Sequence, residues 1–244
     1  MSYKEVSQRI TESEKKEFAT GIELVNSFVE SLGERKLLPQ EFSKPDLSVS
    51  PASFEIPAVS EELYMKTREA LAKEGYTFIV DILPVSIGQM VTDKATSQHF
   101  GYVNPSENMR AIIPLQMEVV INPKKLRIKG SNSKSTDTQI EIIKNEGTKL
   151  KNKLPQEVKN LVSMHMRNAS VLAQLDCKYQ QETGKVLFTN WYGRTNDQIV
   201  SGHVAYVGRH APASLLDVSD WSRGVGRDSV FAVPVVVLPR KLAI

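Results

Sequence analysis

Residues 217–239 read DVSDWSRGVGRDSVFAVPVVVLP. Small polar residues and glycines surround a single Trp and run directly into an apolar segment. Val230 to Leu238 is apolar on both sides of any period-two pattern, so it predicts a strand covered on both faces. The stretch before it is rich in turn formers. A buried strand next to a small-residue, Lys-free segment suggests a division of labour, in which the strand folds the domain and its neighbour faces outward.

Working outward, HVAYVG at 203–208 predicts another strand. Further upstream, Val171, Ala173, Leu175, Cys177 and Tyr179 alternate with mostly polar residues. That spacing predicts a half-buried strand with Cys177 on its inner face, a hairpin turn at QETG and a returning strand KVLFTNWY. The segments 138–154 and 155–166 predict two helices separated by Pro155, with a loop GSNSKSTD before them at 130–137. RAIIPLQMEVVINP from 110 and YTFIVDILPV from 76 predict strands. Residues 61–74 predict a helix that Ser60 caps and Gly75 ends. The polar stretch 86–109 predicts an irregular excursion, and 209–229 a loop.

At the N-terminus, Phe18, Ile22, Val25, Val29 and Leu32 form one apolar stripe that stops at Gly33. It predicts a helix that packs on its own chain or on another copy. Pro39, Pro45, Pro51 and Pro57 then mark an extended connector. The expected organisation is a helix and connector over 1–58, followed by an α+β domain over 59–244.

The chain has 244 residues, 41% hydrophobic and 24% charged, enough to bury a core. No apolar run reaches the roughly 18 to 20 residues of a membrane span. The charged N-terminus does not read as a secretory signal, which predicts a cytoplasmic or virion-associated protein without a membrane partner. One cysteine excludes an intramolecular disulfide. Between 121 and 160, ten Lys and Arg face four Asp and Glu. That segment has no Phe, Tyr or Trp to stack on bases, so it reads as a solvated helix face; a nucleic-acid surface is the alternative.

Chemistry-bearing patterns are sparse. His99, His165, His203 and His210 have no metal-ligand spacing. GVGRDS at 224–229 lacks the third glycine of a dinucleotide fingerprint and precedes a strand. Asp217, Asp220 and Asp228 have no apolar context to raise a carboxyl pKa. No catalytic residue, metal or cofactor is expected, and the chain reads as a non-enzyme.

The positive signal is compositional. Residues 199–240 contain no Lys, Glu, Gln or Met. Strand preference explains part of this gap, but exposed loops normally accept Lys and Glu. The run LLDVSDWSRGVGRDSVFAVPVVVLP, with HVAYVGRH before it and EVVINPKKLRIKGSNSKSTDTQIEIIKNE further upstream, resembles the variable proteins of diversity-generating retroelements of archaeal viruses and small-genome microbes.

That resemblance implies a C-type lectin-like domain with a twisted antiparallel sheet and two flanking helices. It also implies that an error-prone copy of an RNA template has rewritten AAY codons at adenine. Such codons, changed at their first two positions, never encode Lys, Glu, Gln, Met or Trp. The resemblance makes Trp221, Arg223, Phe231 and Pro234 the fixed frame. It makes Asp217, Ser219, Asp220, Ser222, Gly224, Val225, Gly226, Arg227 and Ser229 variable ligand-binding positions, with an earlier cluster at Arg209, His210 and Ser214, in a region spanning about 203–231. Arg209 and Arg227 are the expected hot spots, and an unidentified protein or cell-surface molecule the expected ligand. Formylglycine-generating enzymes share that fold, but their chemistry needs paired cysteines, and this chain has only Cys177.

Overall fold

The computed structural model describes residues 55–199 and 202–242, which belong to one compact unit, Ser53–Ile244. The expected N-terminal helix and most of the connector lie outside the described residues. In chain order the elements are β1 (Ala58–Val59), α1 (Glu61–Lys73), β2 (Phe78–Ile82), α2 (Ile87–Thr92), β3 (Phe100–Val103), α3 (Glu107–Ala111), β4 (Met117–Ile121), α4 (Thr136–Lys153), β5 (Ser163–His165), α5 (Ala169–Thr183), β6 (Tyr192–Gln198), β7 (His203–Gly208), β8 (Leu216–Ser222), β9 (Val230–Phe231), β10 (Val235–Val237) and β11 (Arg240–Lys241). The fold is α+β.

Two sheets carry it. One is four-stranded and antiparallel, in the order β2-β4-β10-β5. The other is mixed, in the order β3-β8-β7-β6-β9: its three central strands are antiparallel, and β3 and β9 join the edges in parallel. β1 and β11 form a separate parallel pair.

β10 is the keystone, and its period-two pattern serves two cores. Val236 packs with Val120 against Tyr64 and Leu71 of α1 and Ile143 and Leu150 of α4. Val235 and Val237 face the other way, toward Val119, Ile121, α5 and the inner side of the five-stranded sheet. Each buried valine contributes about 1.5–3 kcal/mol. The expectation of a strand covered on both faces holds, although the predicted 230–239 strand is broken at buried Pro234 into β9 and β10.

Several expectations do not hold. The segment 170–180 is helix α5, not a strand. It is wedged between the two sheets and buried continuously from Ala169 to Cys177, so it has no polar face to reveal the helical period. Its polar residues are consumed in place: Ser170 Oγ donates to Val85 O, and Gln174 exchanges hydrogen bonds with both backbone groups of Leu83. The QETG hairpin is instead the end of this helix, with Gly184 as a left-handed cap at φ 69°.

The second predicted helix at 155–166 is a set of turns leading into β5. There Val162, Met164 and Met166 are buried in a two-residue rhythm. Within 86–109 lie α2, β3 and α3, and the expected loop 209–229 contains β8. Two flanking helices were expected, and the described residues contain five α-helices. The helix α1, capped by Ser60, matches its predicted bounds to within a residue.

Candidate functional site

The inner face of the five-stranded sheet packs Ala205, Val207, Leu216 and Val218 into the core. The residues between them therefore point outward. On β8 these are Asp217 and Ser219, followed by Trp221. Cross-strand pairing places Gly208 beside Asp217, Tyr206 beside Ser219 and Val204 beside Trp221. β6 extends the same face, with Tyr192 beside Gly208 and Arg194 beside Tyr206. β3 adds Tyr102, which pairs with Asp217 and is 51% exposed.

The outcome is an aromatic and polar face, exposed at Tyr102 and half-buried at Tyr192, Tyr206, Asp217, Ser219 and Trp221, while Val204 and Arg194 are buried. The Tyr192 and Tyr206 rings meet edge to face at 5.0 Å. The Arg227 guanidinium lies 4.6 Å above the Trp221 ring. His210 Nδ1 sits 3.6 Å from Asp217 Oδ2. The Tyr192 hydroxyl titrates above its ordinary range, mainly through partial burial and then through the Asp217 carboxylate and Tyr206, with Arg227 opposing. That phenol therefore feels both a carboxylate and a guanidinium of the same face.

Arg194 organises the turn beside this face. It is buried, and its guanidinium donates to Thr136 Oγ1, Ser222 O and Val225 O. Arg223 is tied to Asp137 at the start of α4, and its N–H donates to Gly202 O. These bonds hold the 222–227 turn from behind and leave Gly224 and Val225 exposed.

The expected variable residues do not all share this face. Arg209 is a correction: its side chain is buried in an ion pair with Asp176, out of reach of a surface ligand. It also donates to Ser214 O, which makes Ser214 part of the clasp around it. Asp220 and Ser222 point to the opposite side of β8, because alternate strand residues must. The Asp220 carboxylate accepts from Asn104 Nδ2 at 2.5 Å and from His203 Nδ1 at 2.7 Å.

Gly226 is also misassigned as a freely variable position, since a Cβ there would lie 2.1 Å from the Ser133 carbonyl carbon. Ser229 is half-buried, and its carbonyl accepts from Tyr192 N. In the expected frame, Pro234 is buried, Phe231 is half-buried with Arg127 above its ring, and Trp221 is half-buried under Arg227. Asp217, Ser219, His210 and Arg227 remain on or beside the outer face.

Tyr192 and Tyr206 were missed as candidates. The signal for Tyr206 is the alternation within HVAYVG, which sets it opposite to Ala205 and Val207. Tyr192 carries no such signal, because its strand includes the buried outward Arg194.

An open cleft of about 400 Å³, bordered by Asp81, Glu118, Arg240 and Lys241, lies at the end of the four-stranded sheet, away from these residues. The Tyr64 hydroxyl donates to the Glu118 carboxylate. Among the described residues, no three His, Cys, Asp or Glu side chains gather as a metal site would require, and no helix is long and apolar enough to cross a membrane. No protein-family model, curated protein or solved structure matches the chain.

Proposed function

We propose that this chain is a non-enzymatic recognition protein that presents the outer face of its five-stranded sheet to a protein ligand. The proposal includes a C-type lectin-like domain and diversification of outward positions by a retroelement. The observation that carries it is the alternation along β8: Leu216 and Val218 are fully buried, whereas Asp217 and Ser219, which alternate with them, reach solvent. A strand divided in this way tolerates outward replacement at a cost of within about 0.5 kcal/mol, while inward truncation costs several.

The chemistry of the face supports a protein ligand over a small molecule. Tyr, Trp, Arg and Ser are the residue types that dominate recognition surfaces, because they offer large rigid area or adaptable hydrogen bonding. The face is open, whereas small ligands favour cavities that enclose them. The absence of Lys, Glu, Gln and Met from 199–240 agrees with rewriting of AAY codons.

Two measurements test the proposal. Randomising Asp217, Ser219 and Arg227 in a displayed library yields mostly folded members, and some bind an arbitrary protein target with specificity. Randomising Leu216 and Val218 abolishes folding. A library that unfolds equally at both sets sinks the recognition reading. For the retroelement, sequencing the adjoining DNA is expected to reveal a reverse transcriptase gene and a near-copy of the 3′ end that differs at adenines; neighbouring DNA without them removes that part.

A further inference from the structure

One flank of the outer face is built by two chain segments lying side by side. Ile128 N donates to Ala232 O and Ser133 N donates to Arg227 O, each at 3.1 Å. Ser131 Oγ accepts from Ala232 N at 2.9 Å, and Gln139 Nε2 donates to both Ser131 O and Val230 O. This bonding fixes 128–133 along 227–232 as a ridge beside β9.

The ridge carries four exposed cations: Arg127, Lys129, Lys134 and Arg227. None pairs with a carboxylate among the described residues. On α4, by contrast, Lys144, Lys149 and Lys153 each have one, at 3.7, 2.6 and 3.1 Å. Of the nearby acids, Asp137 is engaged by Arg223 and Asp228 accepts from Ser133 Oγ.

Unpaired lysines on solvated loops are ordinary, but two of these cations rest on aromatic rings. Arg227 lies 4.6 Å above the Trp221 ring on the outer face, and Arg127 lies 5.2 Å above the Phe231 ring, which packs against the core at the edge of the sheet. A guanidinium stacked on an aromatic ring keeps its in-plane N–H donors free for a carboxylate.

We infer that the ligand of the outer face is a protein surface with acidic side chains, seated on the tyrosines and gripped by the cations of this ridge. The inference rests on the recognition function proposed above and adds the ligand's chemical character. A single-stranded nucleic acid also likes cations and aromatics, but it needs open ring faces. Here Tyr192 and Tyr206 meet at 75° and a guanidinium covers one face of Trp221, so Tyr102 is the one exposed ring among those named on this face.

The test is selection of a phage-displayed random dodecapeptide library on the immobilised full chain at low salt, with (dT)20 measured in parallel. The expected enriched pool has about twice the Asp and Glu content of the starting library. Its best synthetic member weakens about tenfold with Arg227→Glu, with Lys134→Glu and with added salt, and is lost with Tyr206→Ala. Thermal unfolding of each variant confirms that it folds. Peptides that need Tyr206 but are not acidic overturn this inference and leave the recognition function standing. A selection with no peptide sensitive to Tyr206→Ala overturns both. Tighter Arg227-dependent binding of (dT)20 than of any peptide replaces the protein ligand with a nucleic acid.

Discussion

The Arg209 guanidinium and the Asp176 carboxylate meet at 2.5 Å, with side-chain exposures of 2% and 0%. Asp176 also accepts from Leu187 N at 2.8 Å, and Arg209 donates to Ser214 O. One ion pair thus joins α5, the segment entering β6 and the connection between β7 and β8. Removing one partner leaves the other charge buried and uncompensated. Arg209→Ala is expected to cost about 3–5 kcal/mol in urea unfolding, whereas the exposed Arg227→Ala changes stability by within about 0.5 kcal/mol. Equal effects from the two would contradict their assigned environments.

Gly226 and Gly224 sit in the same turn but in different surroundings. A Cβ at 226 collides with the Ser133 backbone, while one at 224 meets nothing within 4 Å. Gly226→Ala is expected to lose about 1–3 kcal/mol and Gly224→Ala to stay near neutral, read as melting temperatures. Position 226 therefore stays glycine in any folded diversified library.

Asp197 is buried beneath the start of α5, where its carboxylate accepts from Ala169 N at 2.5 Å. Burial pushes its carboxyl pKa up to about 7, against the opposing effect of that hydrogen bond. Because the folded state holds this proton more tightly than the unfolded state, its contribution is fully present below the ordinary carboxyl range. It is lost progressively as pH rises from about 4 to 7. Asp197→Asn keeps an acceptor oxygen without a titrating proton, so it is expected to flatten that part of the stability profile and to be the more stable protein at pH 8. A parallel pH dependence in both proteins would rule this out.

Cys177 lies on α5 within the core, and burial, with Asp176 adding to it, pushes its thiol up to about 12. Thiolate is the reactive form. Labelling by a thiol reagent at pH 7.5 is expected to proceed only as fast as the protein opens, and to accelerate in urea with the unfolding transition. Rapid labelling of the native protein would place the sulfur elsewhere.

How far the sequence could be read differs from element to element. Ser60 and the helix it caps, the strands at 78–82 and 117–121, and the doubly covered β10 follow from local patterns. Ser60 and α1 need only a neighbouring N–H, and a strand buried on both faces advertises itself by unbroken apolar residues. α5 did not follow, because a helix enclosed by two sheets loses its polar stripe, and its buried Ser170, Gln174 and Asp176 then imitated strand alternation. The outward set on β8 is half legible in the sequence: the pattern points to Asp217 and Ser219, but a segment that reads as a loop has no sides, so it points to Asp220 and Ser222 as well.

By itself the sequence determined an α+β chain with a valine strand at its centre and a C-terminal region depleted in Lys, Glu, Gln and Met, since composition and short-range periodicity are properties of the chain alone. Only the tertiary structure decided that Arg209 belongs to the interior and Arg227 to the surface. Both are arginines in a polar stretch, and what separates them is whether a carboxylate 33 residues away in sequence or an adjacent indole ring receives the charge.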